Sequence, residues 1–149
     1  MPSASITKKI PCSKKNLIGM VLDIEKYPEF VPWCLGGKIH TKIDKRNTVE
    51  ITADLTIGKN FFSETYKSFI IYNKSTDSIN VTNINGPLKH LKNKWFFKQI
   101  GDSSEVDFHV DFELKNKILN ILMIKSFGLG IKKIADAFEK RAIHLFEKT

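Results

Sequence analysis

The sequence predicts an α+β grip: a curved antiparallel sheet of about seven strands wrapped around one long C-terminal helix, with a short helical segment after strand 1. Three observations predict it. Apolar residues recur at every second position through most of the eighty residues after Gly36-Gly37, the period of a half-buried strand. Residues 117 to 147 then carry the repeat of an amphipathic helix, with one apolar face per 3.6 residues. Ahead of the sheet, a Ser/Thr/Ile-rich run leads into a short helical pattern. At 149 residues the chain fits a single domain, residues 1 to 149, long enough to bury a core without staples.

Residues 3 to 10 form the first strand, ended by Pro11 and placed near a sheet edge. Ser13 is the N-cap of a helix from about 14 to 25, in which Leu17, Met20, Val21 and Ile24 share one face. Residues 27 to 34, Tyr-Pro-Glu-Phe-Val-Pro-Trp-Cys, come next. Pro28 and Pro32 fix φ, remove two amide donors and push the residues before them towards extended geometry, so a long helix stops here. What remains is a stiff connector with at most one helical turn around Glu29 to Val31. It carries three large rings, Tyr27, Phe30 and Trp33, and reads either as a buried turn or as the wall of an apolar cavity.

In the sheet region, Ile39, Thr41 and Ile43 alternate with Lys38, His40 and Lys42. Asp44 to Asn47 supplies a turn, and Val49, Ile51, Ala53, Leu55 and Ile57 continue on one face. Gly58-Lys59-Asn60 turns the chain into a strand from Phe61 to Tyr72, apolar at intervals on both faces. After a turn at Lys74 to Asp77, a strand from Ser78 to Ile84 is broken by Asn85-Gly86-Pro87. His90 to Ile100 sets Leu91, Trp95 and Phe97 against His90, Lys92, Lys94 and Lys98. Beyond Gly101-Asp102, Val106, Phe108, Val110, Phe112 and Leu114 alternate with Asp107, His109, Asp111 and Glu113. In the closing helix Ile131, Ile134, Ala135, Phe138, Ala142 and Leu145 make one stripe opposite Lys132, Lys133, Asp136, Glu139 and Lys140. Its first half is apolar around the axis, from Ile118 and Leu119 through Ile121 to Ile124 and Phe127. Gly128 and Gly130 each cost about 1 kcal/mol of helix propensity, which predicts a bend there.

The 42% apolar content with eleven Phe excludes disorder. No window reaches the roughly 18 uninterrupted apolar residues of a membrane span. The net charge of +8 is carried almost wholly by Lys, since Arg46 and Arg141 are the only arginines. Scattered lysines give diffuse attraction to polyanions, ribosomal RNA or an anionic lipid surface, where bidentate recognition would use Arg; a solvated Lys face is the plainer reading. Cys12 and Cys34 form no CxxC pair, and no disulfide framework is expected. The N-terminus enters structure without an apolar leader segment, so the chain reads as cytoplasmic.

Catalytic signals are thin. His40, His90, His109 and His144 fall at outward or polar positions without a metal or triad motif. Asp107, His109 and Asp111 share one strand face with about 7 Å between neighbours, which is either a metal rake or a solvated face. Glu64 and Tyr66 share a face of the third long strand, where Glu64 is a buried base, a head-group anchor or simply exposed. Gly36-Gly37 precedes a strand and not a helix N-terminus, so it forms no phosphate loop. No catalytic residue and no metal ligand is assigned, and the chain reads as a non-enzyme.

The octapeptide at 27 to 34 resembles the signature of the coenzyme Q-binding START-like family. That group joins mitochondrial ubiquinone-binding proteins to bacterial relatives, some described as ribosome-association toxins, within the polyketide cyclase/START superfamily. Leu55-Thr-Ile-Gly58 with Glu64-Thr-Tyr66-Lys-Ser68 resembles the family's central hairpin, and Gly86-Pro87-Leu88, Leu91 and Trp95-Phe96-Phe97 its next block. Val106 to Leu114 and Ala137-Phe138-Glu139-Lys140-Arg141 resemble its end, so the likeness covers nearly the whole chain. Two departures stand out: Lys59-Asn60 where many relatives place an aromatic, and a more apolar start to the terminal helix.

The resemblance implies a helix-grip fold, no cofactor, and a cavity for ubiquinone or another polyprenyl quinone carried in support of respiratory electron transport. A large-ribosomal-subunit partner, bound through the basic surface, is the alternative it implies. The cavity and its mouth would be lined by Tyr27, Phe30, Val31 and Trp33 of the connector and by Phe62, Glu64, Tyr66, Leu88, Trp95, Phe97, Phe108 and Phe112 of the sheet. Leu122, Phe127 and Ile131 of the helix would complete the lining. A carrier of this kind must also touch an anionic membrane surface, placing it at the periphery of the inner membrane face.

Overall fold

The computed structural model describes residues 3–59, 62–85, 88–115 and 117–146, without the side chains of residues 59, 62, 85, 88–90, 112, 114 and 119–130. In chain order these form β1 (Ser3–Ile10), α1 (Lys14–Leu22), a 3-10 segment (Ile24–Glu29), β2 (Cys34–Asp44), β3 (Thr48–Lys59), β4 (Phe62–Asn73), β5 (Ser78–Asn85), β6 (Leu88–Ile100), β7 (Ser103–Leu114) and α2 (Lys117–Phe146). All seven strands join one antiparallel sheet in the order β1-β7-β6-β5-β4-β3-β2. This is the helix-grip architecture expected from the sequence.

Hairpins connect β2 through β7, and β1 returns to pair with β7. Directly opposed residues of an antiparallel pair share a face. The rows Ile51–Ile70–Val81–Asn93–Val110 and Val49–Tyr72–Ile79–Trp95–Phe108 therefore define the inner face. Ile51, Ala53 and Ile79 there are at most 1% exposed, as are Ile10 of β1, Leu17 of α1 and Ala142 of α2. This register settles β4: Glu64, Tyr66, Ser68, Ile70 and Tyr72 all face inwards.

Ser13 caps α1 by accepting a hydrogen bond from the Asn16 amide at 3.2 Å. The helix ends at Leu22, earlier than its apolar spacing suggests, and the chain tightens into 3-10 geometry with Pro28 inside the segment. Pro28 has no amide to give, so the long helix cannot resume.

Three further departures have local causes. Gly36 and Gly37 lie within β2 and do not precede it; a Cβ on Gly37 would stand 2.5 Å from the Ile24 carbonyl oxygen, so only glycine lets the strand pass under the 3-10 segment. A register shift between Ile39 and Thr41 then reverses the alternation, placing Lys42 opposite Ile51 and leaving Ile43 52% exposed on the outer face. At the end of α2, Leu145 is 47% exposed and Phe146 packs on the core in its place. The helix itself continues through Gly128 and Gly130.

The described part of α2 packs chiefly on β1, with further contacts to β7 and α1. Lys8 of β1 pins it, placing Nζ 2.9 Å from Asp136 and 3.3 Å from Glu139.

Candidate functional site

The connector between α1 and β2 is held at four points. The Phe30 and Val31 amides donate to the Tyr27 carbonyl at 3.1 and 2.8 Å. The Tyr27 hydroxyl donates to the Val21 carbonyl. The Glu25 carboxylate accepts from the Ile39 amide at 3.0 Å, and the Gly58 amide donates to the Trp33 carbonyl at 2.9 Å. Trp33 has φ +63°, a left-handed conformation costly for a large side chain. The hydrogen bond to β3 and the ordered turn preceding it hold it there.

This rigid segment presents its rings to α2. Phe138 receives both Tyr27 and Phe30 edge-to-face, at centroid separations of 5.7 and 5.1 Å, and reaches Trp95 at 5.5 Å. Trp95 continues the cluster into the sheet, 4.2 Å from Phe108 across the strand pair and stacked with Phe97 at 6.3 Å. Connector, helix and sheet thus meet on one ring. Sequence reasoning placed Phe138 in the core stripe and not in the site; its junction role arises from three distant segments, which no local pattern reveals. The enclosed space beside Trp95, Phe108 and Phe138 measures about 10 Å³, close to the volume one water occupies.

Tyr27 and Tyr66 retain some accessible surface, but burial drives both phenols well above the ordinary tyrosine range, with each other and Cys34 as neighbours. Cys12 and Cys34 are buried free thiols, and burial raises both. Neither is suited to thiolate chemistry.

Outside the aromatic junction, Phe30 and Pro32 face Lys133, Asp136, Ala137, Lys140, Arg141 and His144 across an open groove of about 520 Å³. Its charges are partly committed. Arg141 donates to Glu29 at 2.8 Å and sets its guanidinium 5.1 Å from the Phe30 ring centre, while Lys133 stands 5.9 Å from that of Trp33. The hydrogen bond from Arg141 lowers the Glu29 carboxyl below its ordinary range, and the one from Lys8 does the same for Asp136. Three permanent cations, Lys133, Lys140 and Arg141, against the two carboxylates of Asp136 and Glu29 leave the groove basic.

The other sequence-derived site residues fall as follows. Glu64 and Tyr66 lie side by side on the inner face of β4, opposite Ile57 and Leu55. Trp95, Phe97 and Phe108 are buried at 6 to 8% exposure, and Ile131 at 5%. Val31 packs half-buried against the core. The side chains of Phe62, Leu88, Phe112, Leu122 and Phe127 lie outside the described residues.

Two polar groups that sequence reasoning passed over also stand on the inner face: Ser68 Oγ and Asn93 Oδ1 are buried with no hydrogen-bond partner among the described residues. The alternation of Leu91, Trp95 and Phe97 betrays the direction of Asn93, whereas that of Ser68 follows only from the observed register of β4. On the outer face, Asp107, His109 and Asp111 are engaged by neighbours. Thr7 donates to Asp107 at 2.6 Å, the Ser5 hydroxyl bonds His109 Nδ1 at 2.7 Å, and His109 Nε2 lies 3.2 Å from Asp111.

Comparison with known proteins places these features in context. Residues 19–139 match the family described as polyketide cyclase / dehydrase and lipid transport. A ribosome association toxin RatA from Rickettsia prowazekii is 35% identical over 95% of this chain and 97% of its own length. The mitochondrial coenzyme Q-binding protein COQ10 of Dictyostelium discoideum is 28% identical over 95% of this chain and 69% of that protein. Among solved structures, a START superfamily protein from Mycobacterium smegmatis superposes with a TM-score of 0.79 over 96% of this chain and 98% of that one, at 20% identity. Both sequence relatives are named for binding or association, whereas the family description also includes cyclases and dehydrases.

Proposed function

Because the chain belongs to the polyketide cyclase / dehydrase and lipid transport family, we propose that it binds a polyprenyl quinone such as ubiquinone, or a similar lipid, and carries it in support of respiratory electron transport. The supporting observation is the inner face of the sheet, an apolar and aromatic surface that meets α2 and the connector at the Phe138 ring. Ligand sites of this kind are lined mostly by apolar side chains with a few polar groups that fix the head.

The physical chemistry of such a carrier is restrictive. Burying a prenyl tail from water is worth about 0.8 kcal/mol per methylene, but a quinone leaving a bilayer gives up an equally apolar surrounding. Net transfer is near neutral, so the cavity must imitate lipid and the head group must supply the remainder. The protein must also reach the bilayer. No helix of the described residues is long and apolar enough to cross a membrane, and the contact proposed is a peripheral one. Residues 118 to 131, which include Lys125 and are flanked by Lys115, Lys117, Lys132 and Lys133, are the proposed contact and gate. Ile118 there is 73% exposed, and each lysine near an anionic surface adds about 1 kcal/mol.

Mass spectrometry of organic extracts from protein purified without detergent is expected to yield quinone, and the protein is expected to float with phosphatidylglycerol vesicles. Absence of both would overturn the reading.

The basic groove favours a second reading, in which the protein associates with the ribosome, at its large subunit; one relative is named a ribosome association toxin. Lys133, Lys140 and Arg141 on one rim suit a phosphate backbone, which lysines attract without sequence selection. Co-sedimentation with ribosomes that falls steeply with salt, from protein yielding no quinone, would favour it.

A further inference from the structure

We propose that Ser68 and Asn93 form a polar subsite on the inner face of the sheet, hydrogen-bonding the uncharged oxygen functions of the bound lipid. The inference rests on the lipid-cavity reading above and adds to it the chemistry by which the head is recognised.

Ser68 is 0% exposed. Its strand neighbours are Ala53 on β3 and Asn83 on β5, and Asn83 directs its own amide oxygen to the Leu91 amide at 3.1 Å. Asn93 stands between Val81 and Val110, in the row of Ile51 and Ile70. Strand spacings put the two residues on the order of 12 Å apart across β5. Ser68 Oγ and Asn93 Oδ1 both lack a hydrogen-bond partner among the described residues. Leaving such a group unmet inside a protein is costly, and buried polar atoms of this kind are normally met by a partner.

The head they recognise is uncharged. A serine hydroxyl both donates and accepts, and a carboxamide presents oxygen or nitrogen according to how it is turned, so the pair serves a carbonyl or a hydroxyl. Neither group can neutralise an anion. The inner-face lysines whose side chains are described are Lys8, committed to Asp136 and Glu139, and Lys42, exposed on the edge strand β2. The acidic Glu64 shares the face with Ser68. Burying a carboxylate or phosphate there without a partner cation would be prohibitive.

The test uses farnesene, farnesol and farnesoic acid, which share one isoprenoid tail and carry no head, a hydroxyl and a carboxylate. Equilibrium dialysis on the full chain is expected to show farnesol binding about tenfold more tightly than farnesene, the scale of one well-buried hydrogen bond, with farnesoate no better than farnesene. In the Ser68→Ala, Asn93→Leu double variant, and in whichever single variant removes the group that the one hydroxyl meets, the farnesol advantage should shrink while farnesene affinity stays unchanged. The ligand-free variants should melt no lower than wild type, because each loses an unmet polar group.

Equal farnesol preference in wild type and variants, or tightest binding of farnesoate, would overturn the subsite while leaving the cavity standing. Lower melting of the ligand-free variants would show that the two groups serve the protein's own packing, and would overturn it as well. If wild type retains none of the three, the lipid-cavity reading fails and the subsite with it.

Discussion

Replacing Phe138 with alanine tests whether the connector is fastened to the helix and sheet through one ring. Phe138 is 3% exposed and makes edge-to-face contacts with Tyr27, Phe30 and Trp95 at 5.1 to 5.7 Å between centroids. Truncating a buried Phe costs about 3–5 kcal/mol, and each aromatic pair contributes about 0.5–1.5 kcal/mol of specific interaction. With three such pairs on one side chain, the upper part of that range is expected.

A domain of this length shifts by about 2–4 °C per kcal/mol, so Phe138→Ala should lower Tm by roughly 8–20 °C. Since total stability is about 5–15 kcal/mol, the variant should still fold at low temperature. Urea melts followed by circular dichroism would give the free energy, with an unchanged slope verifying that the unfolding transition is the same. The Phe30→Ala, Phe138→Ala double-mutant cycle should return a coupling of about 0.5–1.5 kcal/mol. A single-mutant cost below about 1 kcal/mol, or strictly additive effects, would mean that the ring is not the junction the structure makes it.

Gly37→Ala should destabilise by about 2 kcal/mol or more, because its Cβ would meet the Ile24 carbonyl at 2.5 Å and backbone must move; a neutral chemical melt would contradict this. Glu29 and Asp136 have lowered carboxyl values, so their stabilisation is complete above their ordinary values of 4.5 and 3.8 and fades as pH falls through the lowered ones. The Tm difference between wild type and the Glu29→Gln, Asp136→Asn variant should accordingly narrow on acidification, and a widening gap would refute it. Native protein should react slowly with Ellman's reagent at both Cys12 and Cys34, which are buried with raised thiol values, and promptly in denaturant. Rapid labelling of either thiol in the native state would show that its surroundings open.

The alternation from Val49 to Ala53 and from Val106 to Val110 gave the inner face directly, because strand period and burial coincide there. What defeated the pattern was geometry that breaks the period. The irregularity at His40 turned Ile43 outwards and Lys42 inwards, and an extra residue in one strand carries no compositional mark. At the end of α2, burial passed to Phe146 where the regular stripe pointed to Leu145. The connector was legible as a stiff break from Pro28 and Pro32, but not its 3-10 start at Ile24 or the left-handed Trp33. The groove was illegible for a different reason: Phe30 and Arg141 come from opposite ends of the sequence, and only folding sets them 5.1 Å apart.

The pairing of β1 with β7 bears on how the chain reaches its folded form. Thr7 and Asp107 are bonded although 100 positions separate them, so the first strand to leave the ribosome must wait for the last strand before it has a partner. The hairpins from β2 to β7 can form in sequence meanwhile, but the free edge of β7 stays open until β1 returns, and Lys8 can then clasp Asp136 on the helix. Late closure of so long a loop favours slow folding, on the order of milliseconds to seconds. During that interval a second chain could supply the missing strand, so crowded synthesis would expose this fold to strand exchange at the β7 edge more than at any hairpin.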